Sequence, residues 1–335
     1  MSTLLTNVHT FKFPYFADNF FNIQSVEQLK HVIVDGLKNP LVVGGGSNLI
    51  FTDNYDGHIL LNQLKGIRIS QENDCFFVRV ASGENWHSLV EYLTRKNIAG
   101  LENLALIPGT VGGAPIQNIG AYGVEFKDIC YSVAGVYIED GTDVLFSKEQ
   151  CQFNYRDSIF KHELAGKVFI TEVILKLPKL WFPNLHYGPL QSLRGSDVSL
   201  LDVFDEVCRI RCSKLPNVEQ LGNAGSFFKN PVISQSHLDD LLKTFPSMPF
   251  YTYKDNQFKL AAGWLIDKCQ LKGYGVGNIQ VYEKQALVLV NRGEGNSHDL
   301  LMLARHIQKS VFSKFQVQLS PEVRFYQGDS EWFPL

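Results

Sequence analysis

Two uncharged glycine-rich stretches are the first residues here whose types and spacing could do chemistry. Residues 106–123 read Leu106-Ile-Pro108-Gly109-Thr110-Val-Gly112-Gly113-Ala114-Pro115-Ile-Gln-Asn118-Ile-Gly120-Ala121-Tyr122-Gly123, with five glycines, two prolines and no charged side chain. Glycine admits φ > 0 and lets another group approach the backbone. Successive N–H groups in such turns can form a concave anion site. A solvated loop would carry Asp, Ser or Lys. This one is apolar between its glycines, which favours a phosphate cradle over a surface turn. The second stretch, Gly44-Gly45-Gly46-Ser47-Asn48, follows the apolar run Leu41-Val-Val43. It is not the dinucleotide fingerprint, because the third glycine position falls on Leu49 and no amphipathic helix follows. No glycine run ends in Gly-Lys-Ser/Thr, so the P-loop fails too. For residues 44–48 alone, phosphate binding on bare amides and a tight strand-to-strand turn are equally open.

Four polar side chains stand in unusual company. Arg156 lies amid aromatics in 152–160, a stretch too polar for a core strand. Ser226 sits in Gly222-Asn-Ala-Gly225-Ser226-Phe-Phe-Lys229-Asn230-Pro231, small and polar, then aromatic. Glu322 lies on the alternating stretch Val317–Phe325. Tyr187 is central in 181–199, whose prolines and glycines predict a long loop, and such loops are usually functional or disordered. Three of them have a bland reading: a weak surface ion pair of Arg156 with Asp157, a helix N-cap for Ser226, an edge-strand charge for Glu322.

The elements around them follow from periodicity. Ser25-Val-Glu-Gln28 predicts a capping box opening a helix through Leu37, ended by Asn39-Pro40. Strands are expected at 41–43 and 50–53. Phe76 to Val80 alternates, and Asn85 caps a helix with Trp86, Leu89, Val90 and Leu93 on its apolar side. Short strands are expected at 133–138, 144–146 and 168–177, and a helix at 200–211. The texture changes at Leu215-Pro216. Beyond it come helices at 237–245 and 260–270, a buried strand at 286–290, and an amphipathic helix capped by Ser297.

A chain of 335 residues exceeds a single hydrophobic core, so two or three domains are expected. Its 45% hydrophobic and 19% charged content is that of an ordinary globular protein. A net charge of −3 gives no reason to expect a nucleic acid or an anionic membrane as partner. No basic-then-apolar leader opens the chain and no apolar run is long enough to span a bilayer. The six cysteines form no CxxC pair and read as reduced thiols in a cytoplasmic protein, and no metal set is visible.

Several motifs together resemble the UDP-N-acetylenolpyruvoylglucosamine reductase family: Tyr155-Arg156-Asp157-Ser158-Ile159-Phe160, residues 222–231, Ala262-Gly-Trp-Leu-Ile-Asp267 and Pro321-Glu322-Val-Arg-Phe325. Both glycine stretches match as well. The resemblance covers nearly the whole chain in order. The loop with Tyr187-Gly188 is similar to the family type that carries a mobile tyrosine loop over its substrate. One position departs: His9-Thr10-Phe11 stands where the family often has Asn-Thr-Phe.

The resemblance implies an α+β, vanillyl-alcohol-oxidase-type FAD fold of two subdomains plus a separate α/β substrate domain. The expected boundaries are 1–66 with 318–335, 67–215, and 216–317. It implies FAD as cofactor, NADPH as hydride donor, and a UDP-sugar enolpyruvyl ether as small-molecule substrate in bacterial cell-wall synthesis. FAD would be held by Gly44, Gly45, Gly46, Ser47, Asn48, Pro108, Gly109, Thr110, Gly112, Gly113, Ala114, Asn118, Gly120, Ala121 and Gly123. Arg156, Ser226 and Glu322 would be catalytic, with Ser226 the proton donor, and Tyr187, Lys214, Asn230 and Gln285 would contact substrate. A flavin oxidase of the same fold and a non-catalytic nucleotide-sugar binder are the two rival readings.

Overall fold

A computed structural model describes residues 2–195 and 197–335. They form two compact units. The first is built mainly from Asp18–Gly45 and Gly57–Cys212, the second from Thr3–Ala17, Gly46–Asp56 and Ser213–Leu335. Strand Leu49–Asn62 begins in the second unit and ends in the first.

The first unit holds a five-stranded antiparallel sheet in the order Asp143–Ser147, Cys130–Tyr137, Val168–Pro178, Cys75–Ala81, Ile67–Glu72. Alternation sends Val78, Val80, Val133, Val173 and Leu175 to one face, where all are buried. Helix Trp86–Arg95 covers that face with Trp86, Leu89, Val90 and Leu93, and helix Leu200–Lys214 adds Val203, Phe204 and Val207. Burying each such side chain contributes roughly 1.5–3 kcal/mol. Asn85 caps the first helix as expected, accepting from the Ser88 amide at 2.9 Å. The opposite face buries Val136, Ile138 and Phe169 against Leu29 and Ile33 of helix Val26–Val34.

That helix is shorter than its periodicity predicts. It stops before Leu37 because Gly36 takes φ +93°. Its box is also shifted by one residue: the Gln28 side chain accepts from the Gln24 amide, not that of Ser25. Strand Leu41–Val43 pairs in parallel with Ile59, Leu60 and Leu61. The glycines that follow it therefore do not make a tight hairpin turn, because a parallel partner requires a longer return path.

In the second unit, strands Gly222–Ser226, Val288–Asn291, Ile279–Val281 and Gly275–Val276 form one sheet in that order. Helix Ser297–Phe315 packs Leu300, Leu303, Ala304 and Ile307 into the core. Its cap is Asn296, which accepts from the Asp299 amide. Ser297 instead donates its hydroxyl to the Thr52 carbonyl. The strand expected from Val317 starts only at Arg324, so Glu322 lies in the bend before it. Val317, Leu319 and Val323 are buried all the same, and the segment bonds to residues 227–229 through one isolated bridge, Pro321 to Phe228. Among the described residues no helix is long and apolar enough to cross a membrane.

Candidate active site

In the first unit the long glycine stretch turns through a 3-10 helix, Val111–Gly113. The amides of Val111, Gly112, Gly113 and Ala114 donate to the carbonyls of Glu84, Ser82, Thr110 and Val111 at 2.8–3.1 Å. Those four N–H groups are spent inside the protein, so they do not form the open row of donors that the composition suggests. The two glycine stretches lie against each other. A Cβ on Gly44 would stand 2.2 Å from Thr110 Oγ1, and one on Gly45 2.8 Å from Gly109 Cα. Gly113 faces open space, with nothing within 4 Å of its missing Cβ. An uncharged double turn with room beside Gly113 fits a large dinucleotide cofactor that approaches backbone. Left-handed φ values recur here: Leu106 at 56°, Asn118 at 44°, Tyr122 at 49° and Arg156 at 51°. Backbone strain of this kind gathers at ligand sites.

Asn118 is wholly buried, and its side chain is engaged by Glu125, the Asn154 carbonyl and the Lys127 amide. It ties the glycine stretch to the turn that bears Arg156. Arg156 donates from Nη2 to the Gly120 carbonyl at 3.0 Å. The Asp157 carboxylate lies 2.8 Å from His162 Nε2.

Sequence reasoning missed Arg211. It donates from Nη2 to the Leu106 carbonyl at 3.2 Å and reaches the Tyr122 phenol. Its Nε is buried without an acceptor among the described residues. Burial lowers the Arg211 pKa, Tyr122 opposes that, and the nearby Arg156 adds to it. Two guanidiniums thus flank one uncharged stretch, a setting for an anion. The available signal was a cation four residues after Val207, on the buried stripe of its helix. The ring of Tyr187 meets Tyr122 edge-on, with centroids 5.7 Å apart. The Tyr187 loop has more anchorage than its proline and glycine texture suggests. Leu185 and Leu190 are buried, and Gly188–Leu193 forms a 3-10 helix.

In the second unit Ser226 ends strand Gly222–Ser226, exposed. The register slips between Asn223 and Ser226, a bulge that turns the serine relative to its partner strand. This excludes the helix N-cap reading of Ser226. Glu322 is held by its backbone: its N–H donates to the Phe227 carbonyl at 2.8 Å, and its carbonyl accepts from Asn48 Nδ2 at 3.4 Å. The Arg324 amide donates to the Asn48 carbonyl. Ser226, Glu322 and the turn of Gly46-Ser47-Asn48 therefore share one hydrogen-bonded frame. Asn230 and Gln285 converge on helix Ala262–Lys268. Asn230 Oδ1 accepts from the Ala262 amide at 2.9 Å, and Gln285 Oε1 lies where a Gly263 Cβ would come within 2.9 Å. Lys214 is exposed at the end of helix Leu200–Lys214.

Residues 18–145 match an FAD binding domain, and residues 216–326 match the C-terminal domain of UDP-N-acetylenolpyruvoylglucosamine reductase. The reductase of that name from Pasteurella multocida is 50% identical over 326 residues, covering 96% of each chain. That from Photobacterium profundum is 48% identical over 332 residues, covering 98% of this chain and 96% of its own. The chain belongs to the UDP-N-acetylenolpyruvoylglucosamine reductase family. The crystal structure of UDP-N-acetylenolpyruvylglucosamine reductase from Thermus caldophilus superposes with a TM-score of 0.69 at 25% identity, over 97% of this chain and 98% of that one. The fold is thus the expected α+β FAD-binding fold with a separate C-terminal reductase domain. Within the family frame, both glycine stretches fall in the FAD-binding match. Ser226, Asn230, Gln285 and Glu322 fall in the C-terminal match, while Arg156, Tyr187 and Lys214 lie outside both.

Proposed function

We propose that this protein reduces the enolpyruvyl group of UDP-N-acetylglucosamine enolpyruvate to the lactyl ether, giving UDP-N-acetylmuramate for peptidoglycan, with Arg156, Ser226 and Glu322 as catalytic residues. FAD, when bound, accepts hydride from NADPH and delivers it to C3 of the enol ether. The paired glycine turns, with Gly113 open beside them, are where this chain would hold it. Hydride arrival at C3 leaves negative charge at C2, spread into the neighbouring carboxylate. Arg156 binds that carboxylate through its planar fork, and it is aimed by its bond to Gly120. Ser226 donates the proton to C2. The observation that carries this role is its exposure on a bulged strand end, in one frame with Glu322. Serine is a weak acid, so Glu322 assists only as a protonated donor or through a partner, since a bare carboxylate would repel the anion.

Asn230 and Gln285 contact the substrate, with Lys214 and Tyr187 on its diphosphate. The part of the chain up to about residue 66, with 318–335, and the part from 67 to 215 serve FAD; 216–317 serves substrate. NADPH and a UDP-sugar are highly charged and water-soluble, so the cytoplasm is the proposed compartment, with small molecules as the only partners. The full-length match to named reductases supports this over both a flavin oxidase and a non-catalytic binder.

The test is anaerobic mixing of the flavin-loaded protein with NADPH, then with the enolpyruvyl substrate. Yellow absorbance should bleach at the first step and return at the second, and denaturation should release FAD, not FMN. Protein that stays colourless with added FAD, or that fails to recolour with substrate, would sink the reading.

A further inference from the structure

The N-terminal segment around Thr10 is absorbed by none of these roles, yet it is threaded between two of the site's parts. Thr10 N–H donates to the Gly46 carbonyl at 3.0 Å, and its Oγ1 lies 3.4 Å from the same oxygen. That hydroxyl donates to the Asn223 carbonyl at 2.6 Å, and the Thr10 carbonyl accepts from the Asn223 amide at 3.0 Å. One residue therefore joins the glycine turn at 46 to the strand that carries Ser226.

The packing leaves no slack in this joint. A Cβ on Gly46 would stand 2.0 Å from the Val8 carbonyl oxygen, and one on Gly222 2.8 Å from that of Phe11. Asn291 Nδ2 also donates to the Phe11 carbonyl at 3.0 Å. Next door, His9 is buried, with its ring edge-on to Phe51 at 5.3 Å and its Nε2 3.2 Å from the Phe13 carbonyl. The segment is thus well anchored with its histidine inside.

Asn223 is the far end of the joint. With its backbone taken by Thr10, its side chain folds the bulge: Oδ1 accepts from the Gly225 amide at 3.0 Å and Nδ2 donates to the Leu221 carbonyl at 2.9 Å. Gly225 sits at φ +66°, and the register slip that re-aims Ser226 falls between these residues. Without the Thr10 hydroxyl, the buried Asn223 carbonyl loses its donor, and the root of the bulge is held to Thr10 by the Asn223 amide alone.

We propose that Thr10 is a positioning residue: it aims Ser226 through Asn223, and it couples occupancy of the Gly46 turn to the setting of the proton donor. The aiming half rests on Ser226 being that donor; the coupling half does not. Thr10→Val keeps the shape and removes the hydroxyl, whereas Thr10→Ser keeps the hydroxyl. In single-turnover mixing, Thr10→Val should bleach with NADPH within about twofold of wild type and recolour with substrate roughly tenfold to 10²-fold more slowly, the scale of a misplaced reacting group. Thr10→Ser should recolour near the wild-type rate. Combined with Ser226→Ala, Thr10→Val should add no further slowing, because it acts through that hydroxyl.

The coupling is read by amide exchange, which needs no turnover. Added FAD should protect residues 224–227 in wild type and in Thr10→Ser, and much less in Thr10→Val. Equal protection in all three would overturn the coupling. Recolouring of Thr10→Val at the wild-type rate, or a slowing that Thr10→Ser shares, would overturn the aiming. If Ser226→Ala alone recolours normally, the donor assignment fails, while the exchange result still decides the coupling.

Discussion

Ser226 and His9 show how differently two polar side chains of the same unit are used. Ser226 is exposed on its bulge, so its hydroxyl can meet a ligand. NADPH oxidation creates no anion at C2, so Ser226→Ala should bleach normally and recolour slowly. Loss of a positioned general acid costs about 10² to 10⁴ in rate, or roughly 3 to 5 kcal/mol of barrier. Ser226→Cys should keep more activity than alanine, because a free thiol, with a pKa near ~8.5, remains a donor. Recolouring of Ser226→Ala within about threefold of wild type at saturating substrate would remove it as the donor. His9 is buried among phenylalanines. Burial lowers its pKa from 6.5 to about 4, against the opposing effect of its bond to Phe13. The unfolded chain therefore binds the proton first as pH falls. The stability that depends on a neutral His9 is complete above pH 6.5 and drains away between 6.5 and about 4. That shift corresponds to about 3 kcal/mol. Denaturant titrations across this window should show a decline that His9→Gln flattens. An equal slope in both proteins would mean that other groups carry it.

At the scale of elements, the loop around Tyr187 is the part whose behaviour most needs its neighbours. Its prolines and glycines supply turns, while Leu185 and Leu190 fasten it to the sheet core of the first unit. Arg194 adds hydrogen bonds to the Leu185 carbonyl and to His186. The tip between these two buried leucines is where Tyr187 leans on Tyr122. Tyr187→Phe keeps the ring contact and loses the hydroxyl. Substrate affinity should fall by about tenfold, roughly one hydrogen bond to a charged group, while bleaching by NADPH persists. Unchanged substrate affinity, measured by titrating the flavin spectrum, would rule out a lid role for the hydroxyl. Leu190→Ala should loosen the whole loop and raise amide exchange across 185–193.

At the scale of the whole molecule, each unit is assembled from separated pieces of chain. The second unit takes Thr3–Ala17 and Gly46–Asp56 from the N-terminal region, and Phe11, Phe13 and Ile50 are in its core. A chain ended at Cys212 would leave those apolar residues uncovered. It would also leave the start of strand Leu49–Asn62 without its parallel partner Arg324–Gly328. Exposed strand edges beside apolar surface aggregate. The truncated chain should be insoluble or elute as large aggregates on size exclusion, and a monodisperse, folded product would contradict the division. In the full chain, FAD at ~100 times its Kd should raise stability by roughly 2.7 kcal/mol.

The sequence by itself determined the parts whose signal is local. Apolar patterning located four of the five strands of the first unit's larger sheet and missed Ile67–Glu72, Asn85 announced its helix, and the motifs around Arg156, Ser226 and Glu322 carried the family. It overran where pattern and pairing differ. Residues 317–323 alternate, yet they make only one isolated bridge, Pro321 to Phe228, and the strand begins at Arg324. Only tertiary structure decided what each polar group has left to offer. The Asn118 side chain bonds to Glu125 and the Asn154 carbonyl, and the Asp157 carboxylate meets His162. Arg211 joins the glycine stretch, and Thr10 ties Gly46 to Asn223 across more than two hundred residues of chain. Hydrogen-bond partners at such separations leave no periodicity behind them, because a donor is satisfied by whatever acceptor folding brings near.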